Sequence, residues 1–140
     1  MAAETVLRVL SLEDSVRDFE IIRKRLMDAG YDVRMDRVER EHEYVAFLRR
    51  QIHDVILADF NVPGFDAFAA LRLHQELCPE TPLIFVSGSI GEETAIELLK
   101  RGAVDYVLKD KLQRLPNAIK RALEFARERS FRRNAEETLR

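Results

Sequence analysis

Apolar and polar positions along the chain recur with two periods. "TVLRVLSLED" carries Val6, Leu7, Val9 and Leu10 and reads as a first strand. In "DSVRDFEIIRKRLMDAG", Phe19, Ile22, Leu26 and Ala29 return at helical spacing. Ser15 and Asp18 there have capping-box spacing, and Gly30 suits the position just past a helix end. "YDVRMDRV" alternates Tyr31, Val33 and Met35 with charged residues, the pattern of a strand with a wetter face near a sheet edge. A short helix is predicted over 40–50, with Tyr44, Phe47 and Leu48 inward. In "DVILADFNVPG", the apolar run Val55, Ile56, Leu57, Ala58 reads as a strand buried on both faces, and it ends on an acid, Asp59. "DAFAALRLHQEL" is a third helix and "TPLIFVSGS" a fourth strand. "GEETAIELLKRGA" is a fourth helix, acidic in its first turn, basic in its last and closed by Gly102. "VDYVLKD" is a fifth strand, and from Leu112 the pattern is helical to the C-terminus. Strands that alternate with helices, several of them continuously apolar, predict a (βα)5 α/β fold with a parallel sheet covered on both faces.

Composition narrows the function classes. A chain of 140 residues, 46% hydrophobic and 34% charged, is most simply one domain with a real core and a solvated surface. The net charge of -2 supplies no global basic field for nucleic acid. The single cysteine, Cys78, is read as an inert thiol, buried or semi-buried, and no Cys/His set has zinc spacing. The N-terminus lacks the pattern of a signal peptide, and no apolar run approaches a membrane span. The expectation is a cytoplasmic protein that contacts neither membrane nor, directly, nucleic acid.

Open parallel sheets bind ligands at the carboxyl ends of their strands. Those ends carry Glu13 and Asp14 after the first strand, Asp59 after the third, Ser87 after the fourth and Lys109 after the fifth. Singly, each has an ordinary reading: a helix cap for Asp14, an Asx-turn for Asp59, a turn for Ser87, a solvated base for Lys109. Together they place a useful group at every suitable tip. Clustered carboxylates repel unless a cation neutralises them. An all-oxygen donor set suits Mg2+, with carboxylates from Asp14 and Asp59 and the backbone carbonyl of Asn61. Lys109 and Ser87 would then face an anion beside the metal. A carboxylate nucleophile, a divalent ion, a lysine and a hydroxyl make a phosphoryl-transfer site, with Asp59 as acceptor.

With these residues in place the sequence resembles the response-regulator receiver domain of two-component signalling. The matching motifs are "LED" (Leu12 to Asp14), "ADFNVPGFD" (Ala58 to Asp66), "FVSGS" (Phe85 to Ser89) and "DYVLKD" (Asp105 to Asp110). The resemblance implies a flavodoxin-like sheet of order 2-1-3-4-5 and an Asp59 that takes phosphate from a histidine kinase or phosphotransfer protein. It also implies Mg2+ held by Asp14 directly and by Glu13 through water, a switch in which Tyr106 follows Ser87, and Lys109 bridging to the phosphoryl group. Asn61 and Ser89 stand where the family tunes dephosphorylation. Three positions depart from the family pattern. Glu13 replaces the commoner Asp, Ala67 stands where Gly is frequent, and Asp110 replaces the Pro that follows the lysine, usually through a cis bond. A cis bond before Asp110 would cost roughly 3–4 kcal/mol. "YVLKD" with "SGSIGEETA" resembles the receivers linked to sensor kinases and PAS-containing proteins.

Rival readings fit less well. An aspartyl phosphatase or mutase wants a second acid two residues after the nucleophile, where Asn61 stands. Nucleotide and flavin sites want a glycine-rich loop after the first strand, where "SLEDS" would repel phosphate. A pseudo-receiver, an interaction module that is never phosphorylated, is the remaining alternative. The protein is thus expected to be a phosphoacceptor rather than an enzyme. His42, His53 and His74 are read as surface or boundary residues. The basic run "RALEFARERSFRRN" is interleaved with glutamates and reads as a solvated helix face. In the last helix, Leu115, Ala118, Ile119, Ala122, Phe125 and Ala126 are expected to pack on the sheet. The expected layout is a receiver domain over 1–127 and a helical extension or linker over 128–140. A homodimer through the fourth/fifth-helix face or the C-terminal helix accompanies that expectation.

Overall fold

The run Val55–Ala58 becomes the centre of a five-stranded parallel sheet in the computed structural model, which describes residues 6–139. Numbered by themselves, the strands are β1 (Val6–Leu12), β2 (Asp32–Val38), β3 (Val55–Ala58), β4 (Leu83–Ser87) and β5 (Asp105–Leu108). They lie in the order β2-β1-β3-β4-β5, every neighbouring pair parallel. The helices are α1 (Val16–Asp28), α2 (Glu41–Arg50), α3 (Ala67–Leu77), α4 (Glu92–Lys100) and α5 (Leu115–Leu139). This is the (βα)5 fold predicted by the alternation of periods, in the flavodoxin-like strand order that the resemblance implies, with a long C-terminal helix.

Strand side chains alternate between faces, and the core divides accordingly. Leu7, Val9, Val55, Leu57, Ile84, Val86 and Val107 join Ile22 and Leu26 of α1 and Leu115, Ala118, Ile119 and Ala122 of α5. Leu10, Leu12, Ile56, Ala58, Leu83 and Phe85 join Tyr44 and Leu48 of α2, Ala70 and Leu71 of α3 and Leu98 of α4. The sheet is therefore doubly wound, with α1 and α5 on one face. Truncating a buried leucine such as Leu57 to alanine typically costs about 2–5 kcal/mol.

Several local expectations change. His74 is buried rather than at a boundary: it shares the inward face of α3 with Ala67, Ala70 and Leu71, and its Nε2 contacts the Thr81 carbonyl. Burial lowers its pKa, against the pull of that carbonyl. Cys78 is buried as expected, its thiol donating to Thr81 Oγ1 at 3.0 Å. Phe125 is 52% exposed instead of packed on the sheet: it stands to the side of the inward row Leu115, Ala118, Ile119 and Ala122, and the Arg129 guanidinium lies over its ring. Asn61–Val62 pairs antiparallel with Phe65–Asp66, a two-residue ladder with Gly64 at φ 77° in its turn. That glycine takes the left-handed conformation. Ala67 only has to begin α3 behind Asp66, whose carboxylate accepts the Ala69 N–H at 3.2 Å. No cis peptide bond occurs among the described residues, and a 3-10 segment, Lys109–Arg114, carries the chain from β5 into α5.

Candidate functional site

Register brings the strand tips together. Leu12 is paired with Ala58 across β1 and β3, and Ser87 with Leu108 across β4 and β5. The next residues on these strands are Glu13, Asp59, Gly88 and Lys109. The Glu13 N–H donates to the Val38 carbonyl and the Asp59 N–H to the Leu12 carbonyl, both at 2.9 Å. The backbone therefore holds both acids rigidly as they leave the sheet. Continued alternation sends Glu13, Asp59 and Lys109 toward the α1/α5 face, after Val9 and Ser11, Leu57, and Val107. Asp14 and Ser87 follow the other row.

Glu13 is 2% and Asp59 8% exposed, whereas Asp14 is half-buried at the rim. The Lys109 ammonium closes the α1/α5 side. Its Nζ lies 2.7 Å from Glu13 Oε1, 3.0 Å from Asp59 Oδ2 and 2.7 Å from Asp18 Oδ2. An ammonium has three N–H donors, so three carboxylates can take one each. Burial works against the lysine's charge, but the three carboxylates outweigh it and raise its pKa. Glu13 is pushed up to about 7, by burial first and by the Asp59 charge, against the opposing pull of Lys109 and the Ser15 N–H.

Asp18 is the member of this cluster that sequence reading missed. Ser15 and Asp18 form only half of the expected capping box: Ser15 Oγ accepts the Asp18 N–H at 3.1 Å. The Ser15 N–H, which Asp18 would have taken in a full box, donates instead to Glu13 Oε2 at 3.1 Å. The Asp18 carboxylate is left to reach Lys109. The available signal was positional, since a helix that starts at the carboxyl edge of the sheet presents its first turn to the site.

On the other side, Asp59 Oδ1 accepts the Asn61 N–H at 3.0 Å. The Asn61 Nδ2 donates to Ser87 Oγ and to the Ser89 carbonyl, each at 3.4 Å. Ser87 is 2% exposed. Tyr106 is half-buried and packs against the cluster that contains Phe85. The sequence-derived residues Glu13, Asp14, Asp59, Asn61, Ser87 and Lys109 thus occupy one edge of the sheet, with Tyr106 on the strand that leads to Lys109. Glu13, Asp14 and Asp59 each offer a carboxylate oxygen within 4.8 Å of the others. Oxygen donors alone fit a hard divalent cation that retains water, such as Mg2+.

Comparison with known proteins agrees with this fold. The response regulator receiver domain matches residues 9–120. The transcriptional regulatory protein ZraR of Salmonella typhimurium is 31% identical over 121 residues, which is 86% of this chain and 27% of that protein. The chain therefore spans about a quarter of the length of the curated relatives it matches first. NtrX from Brucella abortus superposes with a TM-score of 0.77 at 26% identity, over 97% of this chain and 30% of that one. A response regulator from Thermotoga maritima superposes with a TM-score of 0.72 at 26% identity, over 86% of this chain and 99% of that one.

Proposed function

The chain belongs to the response-regulator receiver domain family, and from that premise we propose that Asp59 is its phosphoacceptor, charged by a histidine kinase or a phosphotransfer protein. The observation that carries this reading is the buried Asp59 carboxylate with the Lys109 ammonium 3.0 Å away, among the acids Glu13 and Asp14. An Asp59 oxygen forms an O–P bond as the N–P bond of a phosphohistidine breaks, and the electron pair of that bond leaves with the imidazole. Asp14 and Asp59 would hold Mg2+ directly, with the Asn61 carbonyl, and Glu13 through water. The ion's charge would offset repulsion between carboxylate and phosphoryl oxygens. Lys109 then turns from a carboxylate to a phosphoryl oxygen, and Ser87 donates its hydroxyl to another. Tyr106 follows Ser87 and passes the change to the surface. Rigid placement and charge neutralisation supply the rate.

The protein in this reading is a signalling switch rather than an enzyme with a separate substrate. Residues 1–127 make the receiver, and 128–140 are a helical extension or linker. Among the described residues no helix is long and apolar enough to cross a membrane, and we place the domain in the cytoplasm. Relatives such as ZraR are named as transcriptional regulators, and their greater length leaves room for an output segment beyond a receiver. Direct nucleic-acid contact is not assigned to this domain. The "YVLKD" and "SGSIGEETA" motifs favour a link to PAS or kinase proteins, and the exposed Ile96, Leu99 and Phe125 favour self-association on the α4/α5 face. Fluorine NMR of beryllofluoride with Mg2+ tests the reading: one bound species is expected in the wild type and none in Asp59→Asn. A wild type that binds nothing is the pseudo-receiver instead.

A further inference from the structure

Lys109 occupies two of the three acids that fit a metal. Its Nζ is bonded to Glu13 and Asp59, while its third partner, Asp18, lies outside the Glu13–Asp14–Asp59 group. A cation arriving at that group meets an ammonium already there. Like charges repel, and a half-buried lysine that loses its acceptors is disfavoured. Lys109 needs somewhere to go. Asp18 is anchored by its backbone N–H on Ser15 Oγ, and its carboxylate is left over from the half-formed capping box. Its side chain is 35% exposed, against 3% for Glu13, so it can hold an ammonium at the rim.

We propose that Asp18 is a positioning residue that acts through Lys109. It keeps the ammonium paired while Glu13 and Asp59 turn to the metal and, later, while Asp59 carries phosphate. The first turn of α1 is thereby part of the site's cation exchange. This inference rests on the reading of the site as a Mg2+-dependent phosphoacceptor and adds a residue to it.

The test is a double-mutant cycle in Mg2+ affinity, read with Mg2+ alone from the backbone amide NMR signals of Asp59 and Asn61 in the intact chain. Asp18→Asn should weaken Mg2+ binding by roughly tenfold, within the range seen for directly coupled neighbours. Asp18→Glu should recover most of the loss. In a Lys109→Met background the same Asp18→Asn change should weaken binding by clearly less, about threefold at most, leaving only the through-space loss of one charge. Equal factors in the two backgrounds, or no loss in the first, overturn the proposal and leave the phosphoacceptor reading standing. A wild-type protein that does not bind Mg2+ overturns both. Dispersed amide spectra in all variants confirm that each one is folded.

Discussion

The backbone N–H of Asp59 donates to the carbonyl of Leu12 at 2.9 Å, a rung between the central strand and its neighbour β1. That rung fixes the candidate acceptor beside Glu13, the residue after Leu12. A register slip of one residue would send Asp59 to the opposite face. The apolar rows that pair Leu10 with Ile56 and Leu12 with Ala58 forbid the slip. The same core packing that makes β3 a strand therefore holds a carboxylate in the place where a metal and a phosphoryl group can meet it.

Asp14 and Asp59 should be needed together for Mg2+. Losing one of two direct carboxylates removes both charge and a ligand. Calorimetric titration of Asp14→Ala should show affinity reduced by roughly 10–100-fold, and wild-type affinity in that variant refutes the assignment.

Glu13 gives the metal-free domain a pH dependence of definite sign. Its pKa rises from 4.5 to about 7 in the fold, with burial the largest cause. An acid raised by folding prefers its protonated form in the native state. Its stabilising contribution is fully present below about pH 4.5 and is lost as pH climbs through about 7. Across that window, in chelator, the wild type should lose on the order of 1–3 kcal/mol relative to Glu13→Gln. Urea unfolding at several pH values measures this, and parallel curves for the two proteins count against it.

Lys109→Ala should separate uptake from response. The variant should still accept phosphate, because the acceptor and the metal carboxylates remain. Amide exchange around Ser87 and Tyr106 should respond less to phosphorylation than in the wild type. Without metal, the change leaves Glu13 and Asp59 lacking their cation and should destabilise the fold by about 1–3 kcal/mol, less than a fixed buried charge costs because Glu13 can take up a proton. Mg2+ should restore most of that loss. A normal switch response, or stability unchanged in chelator, contradicts the role.

Most of the fold was legible because two periods carry it: continuous apolar runs for buried strands and 3.6-residue spacing for helices. The site was legible because its groups stand at strand tips, where topology alone brings them together. Asp18 was not legible, since its role depends on which carboxylate takes the Ser15 N–H, a competition among near neighbours that spacing cannot decide. His74 was misread because a histidine looks polar in isolation, yet its place in the Ala67, Ala70, Leu71 stripe turns it inward. Phe125 fits the apolar period of α5, but it stands at the side of the inward row Leu115, Ala118, Ile119 and Ala122 and stays exposed.

The expected extension lies at the end of α5. Helix continues through Leu139, Phe131 is 75% exposed, and the Arg133 guanidinium meets Glu80 after α3. A polar helical turn gains little from propensity alone, and an exposed phenylalanine on it suits a second copy. Truncation after Arg127 should lower the far-UV helical signal and shift any dimer to monomer in sedimentation. Unchanged helicity and unchanged size in the truncated protein refute a structured, pairing tail.

Asp59 alone should carry the phosphoryl group. Intact-mass spectrometry after treatment with a small phosphodonor and Mg2+ measures this. The wild type should gain a single phosphoryl group, absent when Mg2+ is chelated, and Asp59→Asn should gain none. Undiminished labelling of Asp59→Asn would contradict the claim.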